Sequence, residues 1–443
     1  MSISNGFPGT VKLATSTMSG LMSSSDKIKL DKINPGEIEQ TKETIEEIKN
    51  QVIDNYIYTV RINLNDKNPY TAVSYQNDAY GFEPLYVNQS TGECNYGSWK
   101  NIIDSLIRPK PCLLKDSKVI TYLDPENYSR TIYGSGADII NESSGDVMIE
   151  FAKLPYKIEK NGNIIDFSIC TRAEDDSWSY TAFLSEDGLS RESDYMYYSA
   201  YEGWIDSDNK LRSLSDKIPT ADKPIFTYRD YSKNNGISYS MVSIAKRMYV
   251  TLLTIMVTKS LDVKTSIGLG VSDLNYTGDN KAIKSGTMNT KGLFYGDNSG
   301  RRGIKVFGIE NFIGNLAEFT DGLVRLQGQL YSKTSYWYSD TGSGYRLIGD
   351  YPPKESGWVK SVIISDQLLI PSECDASSTD YFTSYVYMPE DDTLDYVCTL
   401  GGSYYMNQSC GLMCMDFRYE SETTSQATGS RIISCSSSNE EVN

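Results

Sequence analysis

The sequence has no histidine among its 443 residues. Imidazole is the side chain most used as general base, proton shuttle and metal ligand, so mechanisms built on it are excluded. Positive charge is also short. The 42 Lys and Arg stand against 58 Asp and Glu, a formal net charge of −16 that repels phosphate backbones and disfavours anionic lipid surfaces. Nucleic acid is therefore not expected as a partner. The longest apolar stretch, around Met248 to Val257, is interrupted by threonines, so no membrane insertion is expected. Met1 to Thr10 has neither the basic nor the apolar part of an export signal. Paired CxxC spacing is absent. The eight cysteines are scattered and read as buried free thiols, with Cys410 and Cys414 the one close pair and the disulfide state open. No calcium-loop pattern occurs, so no metal or cofactor is assigned and calcium dependence stays open.

What the chain does have is tyrosine, 34 in all, often clustered as in Tyr195, Tyr197, Tyr198 and Tyr201 or Tyr336-Trp337-Tyr338. Its amphipathic ring turns about only two torsions and gives contact area at low entropic cost, which suits a recognition surface. The length, about two to three times that of a usual single domain, leaves room for several parts.

Four parts are expected. Residues 1–37 are rich in Ser, Thr, Gly and Lys and too poor in apolar residues to form a core, so they read as a segment ordered by its partners. In residues 38–56, Ile38, Thr41, Ile45, Ile48 and Val52 recur at spacings of three and four, a heptad seam. Isoleucine at both seam layers favours three strands, hence a trimeric coiled coil and a homotrimer. From Tyr58 the period changes to two, and residues 57–145 read as a β-rich connector. Residues 146–443 mix short strands (Val147 to Phe151, Tyr156 to Ile158, Ile164 to Cys170) with one long core helix. That helix is expected from Ser238 to Lys259, with Met241, Ile244, Ala245, Met248, Leu252, Ile255 and Met256 on one face.

Two sets of residues resemble known families. Gly9 to Ile33, GTVKLATSTMSGLMSSSDKIKLDKI, resembles the linking motif that precedes trimeric regions in phage tail fibres and baseplate appendages. Gly314-Asn315-Leu316-Ala317-Glu318-Phe319-Thr320-Asp321-Gly322, Leu400-Gly401-Gly402-Ser403-Tyr404 and Ala427-Thr428-Gly429-Ser430-Arg431-Ile432 resemble, in order, three segments of the formylglycine-generating-enzyme-like branch of the C-type lectin fold. The resemblance implies an α+β chain with a C-type-lectin-like C-terminal domain. Asn315, Glu318, Gly401, Gly402 and Arg431 are then expected to support the fold. The oxidase of that branch uses two copper-binding cysteines, but ungapped alignment from Gly401 places Met406 and Gly411 there, with Cys410 one residue off. A thioether and a glycine cannot hold copper(I) as two thiolates do, so no enzyme is expected.

The remaining use of the branch is surface binding. The resemblance implies a phage tail receptor-binding protein, or its equivalent in a tail-like bacteriocin, located at the tail tip or fibre of the virion. It would bind a bacterial surface glycan or surface-layer protein and dock to other tail or baseplate proteins through its N-terminus. The implied contact face is 404–426, with Tyr404, Tyr405, Asn407, Ser409, Met413, Asp416, Arg418, Tyr419 and Ser421, joined by Trp337. Two rivals stand beside it. One is a structural tail or baseplate appendage; the other is a tailspike depolymerase using two carboxylates, for which Glu174-Asp175-Asp176 and Glu390-Asp391-Asp392 supply acidic runs.

Overall fold

The alternation from Tyr58 onward forms the strand Ile57–Asn63. Val60 and Ile62 are fully buried, while Arg61 between them points outward and forms a bidentate pair with Asp166 at 2.8 Å. The computed structural model describes residues 55–185, 188, 191–275, 279, 281–349 and 355–436. The linking motif and almost all of the coiled-coil seam lie outside the described residues.

Among the described residues there are 27 strands and four α-helices, with 36% of residues in strands and 13% in helix. The expected α+β class, with a C-type-lectin-like domain behind a coiled coil, is corrected to a mostly β architecture. The reason lies in the polar, aromatic segments after Gly303. They read as short β-like runs between long polar loops, but far more of their length pairs as short strands, whose inward residues are buried and whose turns carry the polar ones.

Three sheets carry the fold. The first runs Val73–Asn77, Ile57–Asn63, Ile164–Cys170, Tyr156–Asn161, all antiparallel. The second, of seven strands, includes Lys110–Lys115, Asp146–Ala152, Tyr195–Ser199, Ile432–Ser436 and Tyr239–Met241. The third, of eight strands, is built on Ala317–Leu326, which pairs with Gln329–Ser332, Asp395–Leu400 and, in parallel, Thr428–Gly429. Residues 57–145 do not stand apart as a connector. Ile57–Asn63 pairs with Ile164–Cys170 and Lys110–Lys115 with Asp146–Ala152, and Tyr56–Asn443 forms one compact unit.

The long helix spans Ile244–Thr258, shorter than expected at its start. Tyr239–Met241 is instead a strand, captured by backbone pairing with Ile432 to Ser434. The helix is buried on every side rather than on one face, touching Ile57–Asn63, Ala317–Leu326 and Leu368–Glu373. Several of its polar side chains bond within the protein. Thr254 and Thr258 each donate to the carbonyl four residues back at 2.7 Å, and Arg247 reaches Glu318 at 2.9 Å. Lys259 ends it in the left-handed conformation with φ of 51°.

Candidate functional site

The three segments that carried the resemblance meet in one buried network. Glu318 accepts from Arg247 through one carboxylate oxygen and from Arg431 through the other, all three side chains being at most 2% exposed. Arg431 also donates to the carbonyls of Glu310 and Asn311. Asn315, at φ of 61°, donates to Glu202 and accepts from the Ile283 backbone at 2.8 Å; its own carbonyl accepts from the Tyr404 backbone at 2.8 Å. Gly402, at φ of 80°, lies so close to Cys410 that a Cβ would come within 2.6 Å of the sulfur. These groups bind one another across the chain and form its scaffold.

The same packing removes three expected contact residues from the surface. Tyr404 is fully buried and donates its hydroxyl to the Asp279 carbonyl at 3.1 Å. Met413 is 1% and Asp416 3% exposed. They were assigned to the face because polar and aromatic neighbours surround them, but Tyr404 and Met413 lie in turns that pack inward, and Asp416 lies in a strand whose alternate residues point to opposite sides. Tyr405, Asn407 and Arg418 are exposed; Ser409, Tyr419 and Ser421 are half-buried. Tyr419 packs edge-on against Phe319 at 5.7 Å.

Arg418 is the end of an aromatic row. Its guanidinium carbon lies 4.3 Å from the centre of the Tyr387 ring. Tyr387 lies 4.6 Å from Tyr385, and Tyr385 meets Trp358 edge-on at 5.3 Å. All three rings are half-buried. The row follows from strand register. Trp358 is opposite Tyr385 in the antiparallel pair with Gly357–Trp358, and Tyr387 is opposite Asp416 in the parallel pair with Met415–Tyr419. Tyr385 and Tyr387, two apart on one strand, therefore share one face with Trp358 and Asp416.

Charge and hydrogen bonds fix the row in place. Asp416 takes two side-chain bonds from Arg418, at 2.9 and 2.7 Å, and one from its backbone N–H at 3.0 Å. That pairing raises the guanidinium pKa further, so Arg418 stays charged at any accessible pH. The Tyr387 hydroxyl is pushed up to about 12, chiefly by burial and partly offset by its bond with Ser409. Lys264 backs the far end, 5.6 Å from the Trp358 ring centre, donating to the carbonyls of Gln408, at 2.8 Å, and Thr383. Burial lowers its pKa.

Trp358, Tyr385 and Tyr387 were missed from the sequence. The one available signal was the period-two run Tyr385-Val386-Tyr387, and nothing in the chain pairs it with residues 415–419. Trp337 stands in a different group. It is 66% exposed and lines a cavity of about 360 Å³ with Arg229, Lys233, Ile237, Asp321 and Tyr338.

The acidic runs lie in solvated turns. Glu174, Asp175, Asp176, Glu390 and Asp391 are exposed; Asp175 is capped by Ser177, Asp391 by Thr393, and Asp392 pairs with Arg325. All eight cysteines are free thiols. Among the described residues no group of three or more Cys, Asp and Glu is placed to hold a metal ion. No family model matches the sequence, and neither does any curated protein.

Proposed function

We propose that this chain is the receptor-binding protein of a phage tail or tail-like particle, attaching it to a bacterial surface glycan or surface protein without chemical turnover. The observation that carries this reading is the row Trp358, Tyr385, Tyr387 and Arg418, in which three half-buried rings end on a fixed, exposed cation. Aromatic faces receive the C–H faces of sugar rings or apolar side chains, and a guanidinium held by Asp416 offers its remaining N–H groups to hydroxyls or carboxylates. Hydrogen bonds to Asp416 hold the Arg418 guanidinium before any ligand arrives, which lowers the cost of ordering it on binding. Attachment to other tail proteins and trimer formation belong to the N-terminal segment, on the strength of its linking motif and isoleucine seam.

Binding without hydrolysis is favoured over depolymerisation by the state of the carboxylates. Those in the acidic runs are solvated, and several buried ones, such as Asp146, Glu318 and Asp321, are tied to arginine. The test is cosedimentation of the full chain with sacculi and surface polymers from a panel of bacteria, with released reducing ends assayed in parallel. Retention on at least one surface without new reducing ends supports the proposal. Reducing-end release would replace it with the tailspike, and retention on none with the structural appendage.

A further inference from the structure

We propose that the cavity beside Trp337 is a second binding site, which takes one pyranose ring of a neutral glycan. This inference stands on the cavity's own geometry and does not need the aromatic row. The wall is apolar: Trp337, 66% exposed, with Ile237, 77% exposed, and Tyr338. Large apolar side chains left this open beside a concavity are unusual unless something covers them. At about 360 Å³ the space lies at the small end of ligand pockets, fit for a sugar ring and its substituents.

The polar side of the cavity is charge-balanced. Arg229, with 11% of its side chain exposed, is clamped by Asp321 through bonds as short as 2.7 Å and by Asp340 at 2.7 and 3.3 Å. Lys233 lies 5.5 Å from the Trp337 ring centre. Arg229, Lys233 and Asp321 line the cavity and Asp340 pairs with Arg229 beside it, so the four charges of the group cancel. An anion would meet the Asp321 carboxylate, and a cation would meet Arg229 and Lys233. What remains is hydrogen bonding: Asp340, 21% exposed, keeps acceptor positions beyond those that Arg229 occupies. An apolar wall opposite hydroxyl-matching acceptors and donors is the chemistry of a neutral sugar ring, whose C–H face stacks while its hydroxyls bond at the rim.

Trp337 is also held in a costly conformation. Its φ of 59° lies in the left-handed region that a bulky side chain rarely adopts, and Lys333 holds the turn by donating to its carbonyl at 2.9 Å. The turn presents the indole to solvent, although burying it would be more favourable in an isolated fold.

Saturation-transfer NMR on the full chain tests this, with methyl glycosides of glucose, galactose, mannose, N-acetylglucosamine and N-acetylgalactosamine as neutral probes and galacturonic and N-acetylneuraminic acids as anionic ones. At least one neutral glycoside is expected to bind. Its affinity is expected to fall by roughly tenfold or more in Trp337→Ala and in Asp340→Ala, and to persist in Trp358→Ala. Thermal melting of each variant establishes that it is folded. Binding of no neutral probe, preference for the anionic ones, or binding unchanged in both cavity variants would overturn the proposal.

Discussion

The Arg418 guanidinium lies 4.3 Å from the centre of the Tyr387 ring while Asp416 holds two of its nitrogens, so the cation is fixed by a partner on its own strand and offered to the next. This is a geometry that only Arg supplies. Arg418→Lys keeps the charge but loses the bidentate pairing and the flat contact with Tyr387. It is expected to weaken surface binding nearly as much as Arg418→Ala, whereas Arg418→Ala is expected to lower the melting temperature more, because it leaves the Asp416 carboxylate, 4% exposed, without its cation. Parallel melting and binding curves for the two variants check this.

Glu318 neutralises two arginines that are essentially without solvent. Removing it leaves both charges uncompensated, a change that typically costs about 3–5 kcal/mol. Glu318→Ala is expected to fold poorly or to unfold at markedly lower urea concentration than the parent. An unchanged midpoint would refute the scaffold role given to the Glu318, Arg247 and Arg431 group.

Glu202 makes stability depend on pH. Burial, reinforced by Glu318 and opposed by Arg431, pushes its carboxyl up to about 7. Between an ordinary carboxylate pKa and about 7, the folded chain keeps a proton that the unfolded chain has lost. The contribution of this group is therefore complete at low pH and declines as pH rises through that window. In Glu202→Gln that dependence disappears. The variant is also less stable overall, by about 1–3 kcal/mol, because an amide N–H₂ must face either the Asn311 and Asn315 donors or the Leu316 N–H. The gap between parent and variant melting curves is expected to narrow as pH rises from about 5 to 7.

Burial holds the thiols protonated. Cys112, Cys398 and Cys414 are raised well above the usual thiol range, and Cys410 is pushed up to about 12. The native protein is expected to react slowly with iodoacetamide at mildly alkaline pH. Denatured without reductant, it should titrate as eight free thiols; a lower count would reveal a disulfide.

Local pattern was legible where a strand alternates within itself. Tyr58 onward, Val147 to Phe151 and Ile164 to Cys170 all lie within strands of the structure. The helix was legible from its apolar content, but its start was not, because Tyr239–Met241 takes its partner from nearly two hundred residues away. The mostly β class was obscured for a similar reason: strands of two to five residues carry little period of their own and exist through pairing. In the site, Arg418 and Trp337 were expected at the surface and are exposed there. Asp416 was not separable from them without the strand direction, nor Tyr404 and Met413 without the turns that bury them, and the Trp358, Tyr385 and Tyr387 row exists only through strand register.

The central claim is that the row grips a bacterial surface. Its most direct test is equilibrium binding of the full chain to the surface that retains it, for the parent and for a Trp358→Ala/Arg418→Ala double variant shown by melting to be folded. The account predicts that the double variant binds at least about tenfold more weakly, a loss of about 1.4 kcal/mol or more. Equal binding by the two proteins would contradict it.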